Sequence, residues 1–122
     1  MKTGCQIYVK GSNEAVAFYQ RAFNLTIGMN FKNEDGTYAH ASLMFRKREV
    51  LAVAEGGPVT YGGTMSFNCF ELKTREAVDQ AYRVLSEDAC RQDTPDGPGS
   101  LPWSDYCFYL VDKFGVHWWV AI

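Results

Sequence analysis

Glu14-Ala15-Val16 returns as Glu76-Ala77-Val78, half a chain later in a sequence of 122 residues. Each triplet follows an apolar run, Ile7-Tyr8-Val9 and Cys69-Phe70-Glu71-Leu72. Each is preceded by a hydroxyl residue suited to capping a helix, Ser12 and Thr74. Each continues in helical spacing to a tyrosine, Tyr19 and Tyr82. A period of half the chain predicts two copies of one supersecondary unit, packed to make one site between them.

The apolar pattern spells out the unit. Residues 5–10 predict a strand, and 13–23 an amphipathic helix with Ala15, Val16, Tyr19, Ala22 and Phe23 on one face. Ile27, Met29 and Phe31 alternate as in a half-buried strand. Asn33-Glu34-Asp35-Gly36 is a hairpin turn into a third strand, 37–45. Arg46-Lys47-Arg48 turns into a fourth, 49–54. Residues 56–63 hold four glycines and a proline and predict a linker. The second half repeats the order: strand 64–72, helix 75–87, short strand 90–94, strand 106–111, turn 112–115 and strand 116–121. The three prolines of 95–102 predict a surface loop without regular structure. The expectation is a single α+β domain of paired βαβββ modules, 1–55 and 64–122, with a curved-sheet cavity.

Charge and cysteines exclude several classes. Net charge is −2, and the one basic cluster, Arg46-Lys47-Arg48, reads as a solvated turn, so no nucleic acid is expected. No apolar run reaches membrane-span length, and Met1-Lys2-Thr3 leads directly into a strand, so no membrane partner and a cytoplasmic location are expected. Cys5, Cys69, Cys90 and Cys107 form no Cys-x-x-Cys pair and are expected as reduced, buried thiols.

Three segments resemble the vicinal oxygen chelate superfamily of glyoxalase I, bleomycin-resistance proteins and extradiol dioxygenases, and within it the PhnB-like, or 3-demethylubiquinone-methyltransferase-like, group. Glu14-Ala15-Val16-Ala17-Phe18-Tyr19-Gln20-Arg21-Ala22-Phe23 is similar to the first-helix signature of that superfamily. Tyr38-Ala39-His40-Ala41-Ser42-Leu43 is similar to its third strand, and Leu110 to Trp118 to the final hairpin of the PhnB-like group. The resemblance implies two βαβββ modules, a homodimer and a small-molecule cavity under each curved sheet. It also implies, for the enzymes, a divalent metal held from strands one, four, five and eight as a Lewis acid. Carried over residue by residue, those positions fall on Gly4, on Ala52 or Ala54, on Phe67, and on Trp119. None of these side chains binds a metal. Gln6, Glu55 and His117 are the nearby donors, too few for a site of that type, so neither a metal nor another cofactor is expected.

Polar and aromatic residues on the cavity side remain. Strand alternation puts His40 with Tyr38, Ser42 and Met44, either as a base or donor toward a ligand or as a structural histidine. His117 shares a face with Trp119, and Gln6 with Tyr8. Glu71 is a candidate acid–base partner of either histidine, and Trp103 is either a cavity-mouth residue or a packing anchor. The expected function is metal-independent binding of a small, partly apolar molecule in an aromatic-lined cavity by Gln6, Tyr8, His40, Phe67, Trp103, His117 and Trp119. The alternatives are a glyoxalase-class lyase or isomerase with a displaced metal site, and a drug-sequestering protein of the bleomycin-resistance type.

Overall fold

A computed structural model describes residues 1–58, 60 and 63–122. The chain divides into two compact units, Met1–Val59 and Thr60–Ile122, and each lays one helix on one open sheet. Of the expected linker 56–63, Val59, Tyr61 and Gly62 lie outside the described residues.

Unit 1 runs β1 (Gln6–Val9), α1 (Ser12–Phe23), β2 (Thr26–Lys32), β3 (Tyr38–Phe45) and β4 (Arg48–Glu55), with sheet order β1-β4-β3-β2. β1 pairs parallel with β4, and the other pairs are antiparallel. α1 packs on β1, β3 and β4. Its buried Ala15, Val16, Phe18, Tyr19 and Ala22 close a core with Val9, Leu43, Leu51 and Val53. The basic residues do form a turn: Arg46 takes φ 59° and stacks its guanidinium over the Phe45 ring.

The start of α1 departs from expectation. Ser12 is its first residue, and its hydroxyl accepts from the Tyr38 N–H at 2.9 Å instead of capping the helix. The cap comes from the end of β4, where Glu55 accepts from the N–H groups of Gly11 (3.0 Å) and Ser12 (2.9 Å). A carboxylate here satisfies orphan donors and meets the positive end of the helix dipole. The Ser12 N–H first, then that of Gly11, holds the Glu55 carboxyl below the ordinary glutamate value of 4.5. Glu55→Gln should therefore destabilise by about 1 kcal/mol at neutral pH, solvent screening limiting the effect. Since the folded value is the lower one, this stabilisation is complete above pH 4.5 and vanishes as pH falls through the folded value. Urea titrations at stepped pH should show wild type and variant converging in acid; parallel curves would assign the stabilisation to shape, not charge.

Unit 2 runs β5 (Ser66–Cys69), α2 (Arg75–Leu85), β6 (Arg91–Gln92), β7 (Gly99–Leu101), β8 (Ser104–Val111) and β9 (His117–Ala121). The sheet order is β5-β9-β8-β6, with β7 also paired to β8. Thr74 caps α2, its Oγ1 accepting from the Ala77 N–H at 3.2 Å. α2 buries Val78, Ala81, Val84 and Leu85 and packs on β8 and β9. The repeat is imperfect at the tyrosines. The spacing that aligns Val16 with Val78 aligns fully buried Tyr19 with Ala81, and Tyr82 falls one position later, edge-on to Phe108.

Three further expectations fail. Residues 99–101 are not irregular: Gly99 pairs with Cys107 and Leu101 with Ser104. Pro98 and Pro102 flank this stretch without entering it, so its N–H groups stay free to pair. β5 ends at Cys69, not 72, because Glu71 and Lys73 turn the backbone into the left-handed region at φ 63° and 75°. The cysteines are free, but Cys5 and Cys90 are exposed rather than buried. Burial pushes the Cys69 thiol up to about 11, so it is unreactive at neutral pH.

Candidate functional site

Register on β9 separates two neighbouring tryptophans. Phe108 pairs with Val120 and Leu110 with Trp118, and these four side chains share the face that meets α2. Trp118 is 5% exposed, stacks on Phe67 with centroids 5.3 Å apart, and donates Nε1–H to Asp112 Oδ2 at 2.9 Å. Asp112 Oδ1 accepts from the N–H groups of Phe114 (2.8 Å) and Val116 (3.1 Å). The carboxylate that shapes the β8–β9 turn therefore also holds Trp118.

His117 and Trp119 lie on the other face, with Tyr109 opposite Trp119. β5 pairs Ser66 with His117 and Asn68 with Trp119, bringing those polar residues to the same side. Phe70, just beyond β5, tilts against Trp119 at 6.3 Å, and Tyr109 does so from across the strand pair at 6.4 Å. Three rings thus form a half-open aromatic row, Phe70–Trp119–Tyr109. Beside it, His117 Nε2 and Trp119 Nε1 are buried without a hydrogen-bond partner. A buried polar atom left unbonded costs about 1–3 kcal/mol, and two on one face mark a place that further hydrogen bonding would stabilise.

Unit 1 presents a polar face of its own. Gln6 pairs with Ala52, Tyr8 with Ala54, and Ser42 with Ala52, so these residues share the sheet face turned away from α1. His40 bridges two of them, with Nδ1 2.7 Å from Gln6 Oε1 and Nε2 3.0 Å from Ser42 Oγ. Both ring nitrogens are thus engaged by side chains. Tyr8 is 67% exposed on the same face.

The structure thus groups Gln6, Tyr8 and His40 in unit 1, and His117 and Trp119 in unit 2. Phe67 is separated from Trp119: one residue of register in β5 puts it against Trp118 on the α2 face. Trp103 is likewise apart from the aromatic row. It sits 62% exposed at the tip of the β7–β8 hairpin, about 20 Å along β8 from Tyr109 by strand rise. Glu71 is exposed in the β5–α2 turn, outside any strand. Phe70, Tyr109, Ser42 and Asn68 were missed as site residues. Tyr109 and Asn68 were findable, because each lies directly beside a phenylalanine, Phe108 or Phe67, of an alternating strand and so faces the opposite side.

The donor set does not fit a divalent metal within either unit. Gln6 and His40 bond to each other, Ala52 and Ala54 offer no donor, and Glu55 is engaged at α1. Beside His117 stand Ser66, Asn68 and Trp119. Among the described residues no group of three or more His, Cys, Asp or Glu is placed to hold a metal ion. No helix among them is long and apolar enough to cross a membrane.

This architecture recurs in solved structures. A PhnB protein from Bacillus cereus is 24% identical, with TM-score 0.79, covering 99% of this chain and 98% of its own. A glyoxalase/bleomycin resistance protein from Albidiferax ferrireducens T118 is 17% identical, with TM-score 0.70 and 99% and 97% coverage. The fosfomycin resistance protein FosX from Listeria monocytogenes, solved with Mn(II) and 1S,2S-dihydroxypropylphosphonic acid, is 13% identical, with TM-score 0.67 and 99% and 88% coverage. No curated protein sequence matches the chain. The family model described as 3-demethylubiquinone-9 3-methyltransferase matches residues 2–121. Matched over nearly its whole length, the chain belongs to this family, and it shares its fold with the PhnB and glyoxalase/bleomycin resistance structures.

Proposed function

We propose that the protein binds a small, partly apolar molecule without a metal. The reading is carried by the Phe70–Trp119–Tyr109 row with the unbonded His117 Nε2 and Trp119 Nε1 beside it. The rings offer stacking surface, and the Trp119 N–H, a donor only, suits a ligand oxygen. His117 is the second directional contact. On unit 1, Gln6, Tyr8 and His40 are proposed as further contacts on their own sheet face.

The test is tryptophan fluorescence during titration with a panel of aromatic carboxylates and ketones. A saturable change is expected, unaltered by a chelator and weakened in Trp119→Ala by about 1–3 kcal/mol. Binding that disappears with the chelator would overturn the metal-free reading.

A homodimer is proposed as the working form. The exposed Tyr8, Met29 and Phe31 of unit 1 support it, since bulky apolar groups in water favour association. Light scattering at micromolar concentration should give twice 13.8 kDa. A mass of 13.8 kDa at every concentration would count against it.

A further inference from the structure

Two atoms that the binding reading relies on are closed off from solvent. His117 Nε2 and Trp119 Nε1 are both buried, and neither has a hydrogen-bond partner. A ligand can bond to them only after something beside them moves. Two rings of unit 2 stand against Trp119, those of Tyr109 and Phe70. Tyr109 is fixed in mid-strand. It pairs with Trp119 on β9, its N–H donates to Thr94 Oγ1 at 3.3 Å, and its carbonyl accepts from the Asp93 N–H at 3.3 Å. Phe70 is held less. It follows the last residue of β5, is 58% exposed, and rests against Trp119 with ring centroids 6.3 Å apart.

The turn that carries Phe70 is strained. Glu71 and Lys73 both adopt the left-handed region, at φ 63° and 75°. A long side chain takes this conformation poorly, because its Cβ crowds the following carbonyl. Elsewhere among the described residues such non-glycine positions occur singly, at Asn24, Arg46 and Asp88. Here two flank Leu72, whose N–H reaches the Ala121 carbonyl at 3.4 Å, longer than an ordinary N–H···O bond. Strain of this kind persists only where the surroundings impose it, and it favours a motion that releases it. Glu71 and Lys73 are exposed, so little packed around their side chains opposes such a motion.

We propose that Phe70 is a hinged cover over the Trp119 and His117 nitrogens, with Glu71 and Lys73 as its hinge. In the closed state both hinge residues hold positive φ and Phe70 rests on Trp119. In the open state they relax to negative φ, Phe70 swings outward, and the Trp119 N–H is uncovered. The occupant this admits is a flat ring bearing an oxygen acceptor. Phe70 closes over the ring, and Trp119 Nε1–H donates to the oxygen. Phe70 thereby sets the rates of entry and release. The inference rests on the binding reading for its occupant, while the opening is a property of the chain alone.

Exchange of the tryptophan indole N–H groups with D2O, followed by proton–nitrogen NMR, reads the opening without a ligand. Trp103 is 62% exposed and should exchange fastest. Trp118, bonded to Asp112, should exchange slowest and reports global unfolding. Trp119 is expected between them. Phe70→Ala should speed its exchange by about tenfold, as a local opening no longer has to precede it. Glu71→Asn with Lys73→Asn should slow it by about threefold or more, because asparagine accepts the left-handed region more readily. Glu71→Val with Lys73→Val should speed it by about as much, because a β-branched residue resists that region. Trp118 exchange should stay constant throughout. Trp119 exchange unmoved by Phe70→Ala overturns the cover. So do asparagine and valine pairs that shift it the same way, or a Trp118 rate that moves in step with it. Acetophenone, an uncharged aryl ketone, is the ligand probe. Its release, followed by stopped-flow tryptophan fluorescence, should be about tenfold faster from Phe70→Ala, and equal release overturns closure over a ligand. Acetophenone that leaves the fluorescence unchanged at every concentration counts against the binding reading, while the exchange series still decides the hinge.

Discussion

Asp112→Ala should lower the stability of the folded protein by about 3–5 kcal/mol, because it strands up to three donors that elsewhere would find water. The carboxylate is fully buried and accepts from Phe114 N–H, Val116 N–H and Trp118 Nε1–H. Its own backbone completes the turn, accepting from Gly115 N–H at 3.0 Å, where Gly115 takes φ 82°. Asp112→Asn keeps one oxygen but sets an amide group against a donor, so it should lose a smaller part of the same free energy. Urea unfolding with an unchanged slope is the measurement. A loss below about 1 kcal/mol for the alanine variant would mean that water or another group replaces the carboxylate.

Trp118→Ala should cost a similar amount, about 3–5 kcal/mol, while its neighbour Trp119→Ala should cost much less. Trp118 fills the α2 face of unit 2 against Phe67, and its removal also takes away the Nε1–H that donates to Asp112 Oδ2. Trp119 is half-buried, touches Phe70 and Tyr109 at ring distances above 6 Å, and has no partner for its Nε1. Its removal should therefore weaken ligand binding more than folding. Because Trp118 and Asp112 are in contact, their effects will not add, and a double variant should fall short of the sum. Thermal unfolding of the two tryptophan variants side by side tests the register of β9 directly. The reverse ranking would shift that strand by one residue and exchange the faces of His117 and Trp118.

The alternation of β9 was legible from residues alone, since His117-Trp118-Trp119 in a strand must send the middle side chain opposite to its neighbours. So was the repeated order of elements, since Val16 and Val78 begin matching apolar stripes. The Thr74 cap follows from local chemistry, a hydroxyl placed just before a helix. Asp112 and Gly115 announced a turn for the same reason.

What the chain could not disclose were contacts across sequence distance and single-residue choices of register. Ser12 and Thr74 look alike locally, yet Glu55, distant in sequence, reaches α1 and releases the Ser12 hydroxyl to the backbone of β3. Phe67 looked fit for a ligand wall, but the parallel pairing of β5 with β9 sets it opposite Trp118, and parity then excludes it from the face of Trp119. Gln6 and His40 meet only because β4 lies between their strands and pairs with both. Local composition determined which segments became helix, strand and turn, since propensity, capping and periodicity act over a few residues. The pairing of strands decided which side chains face one another, because a slip of one residue reverses every side chain at little change in local preference.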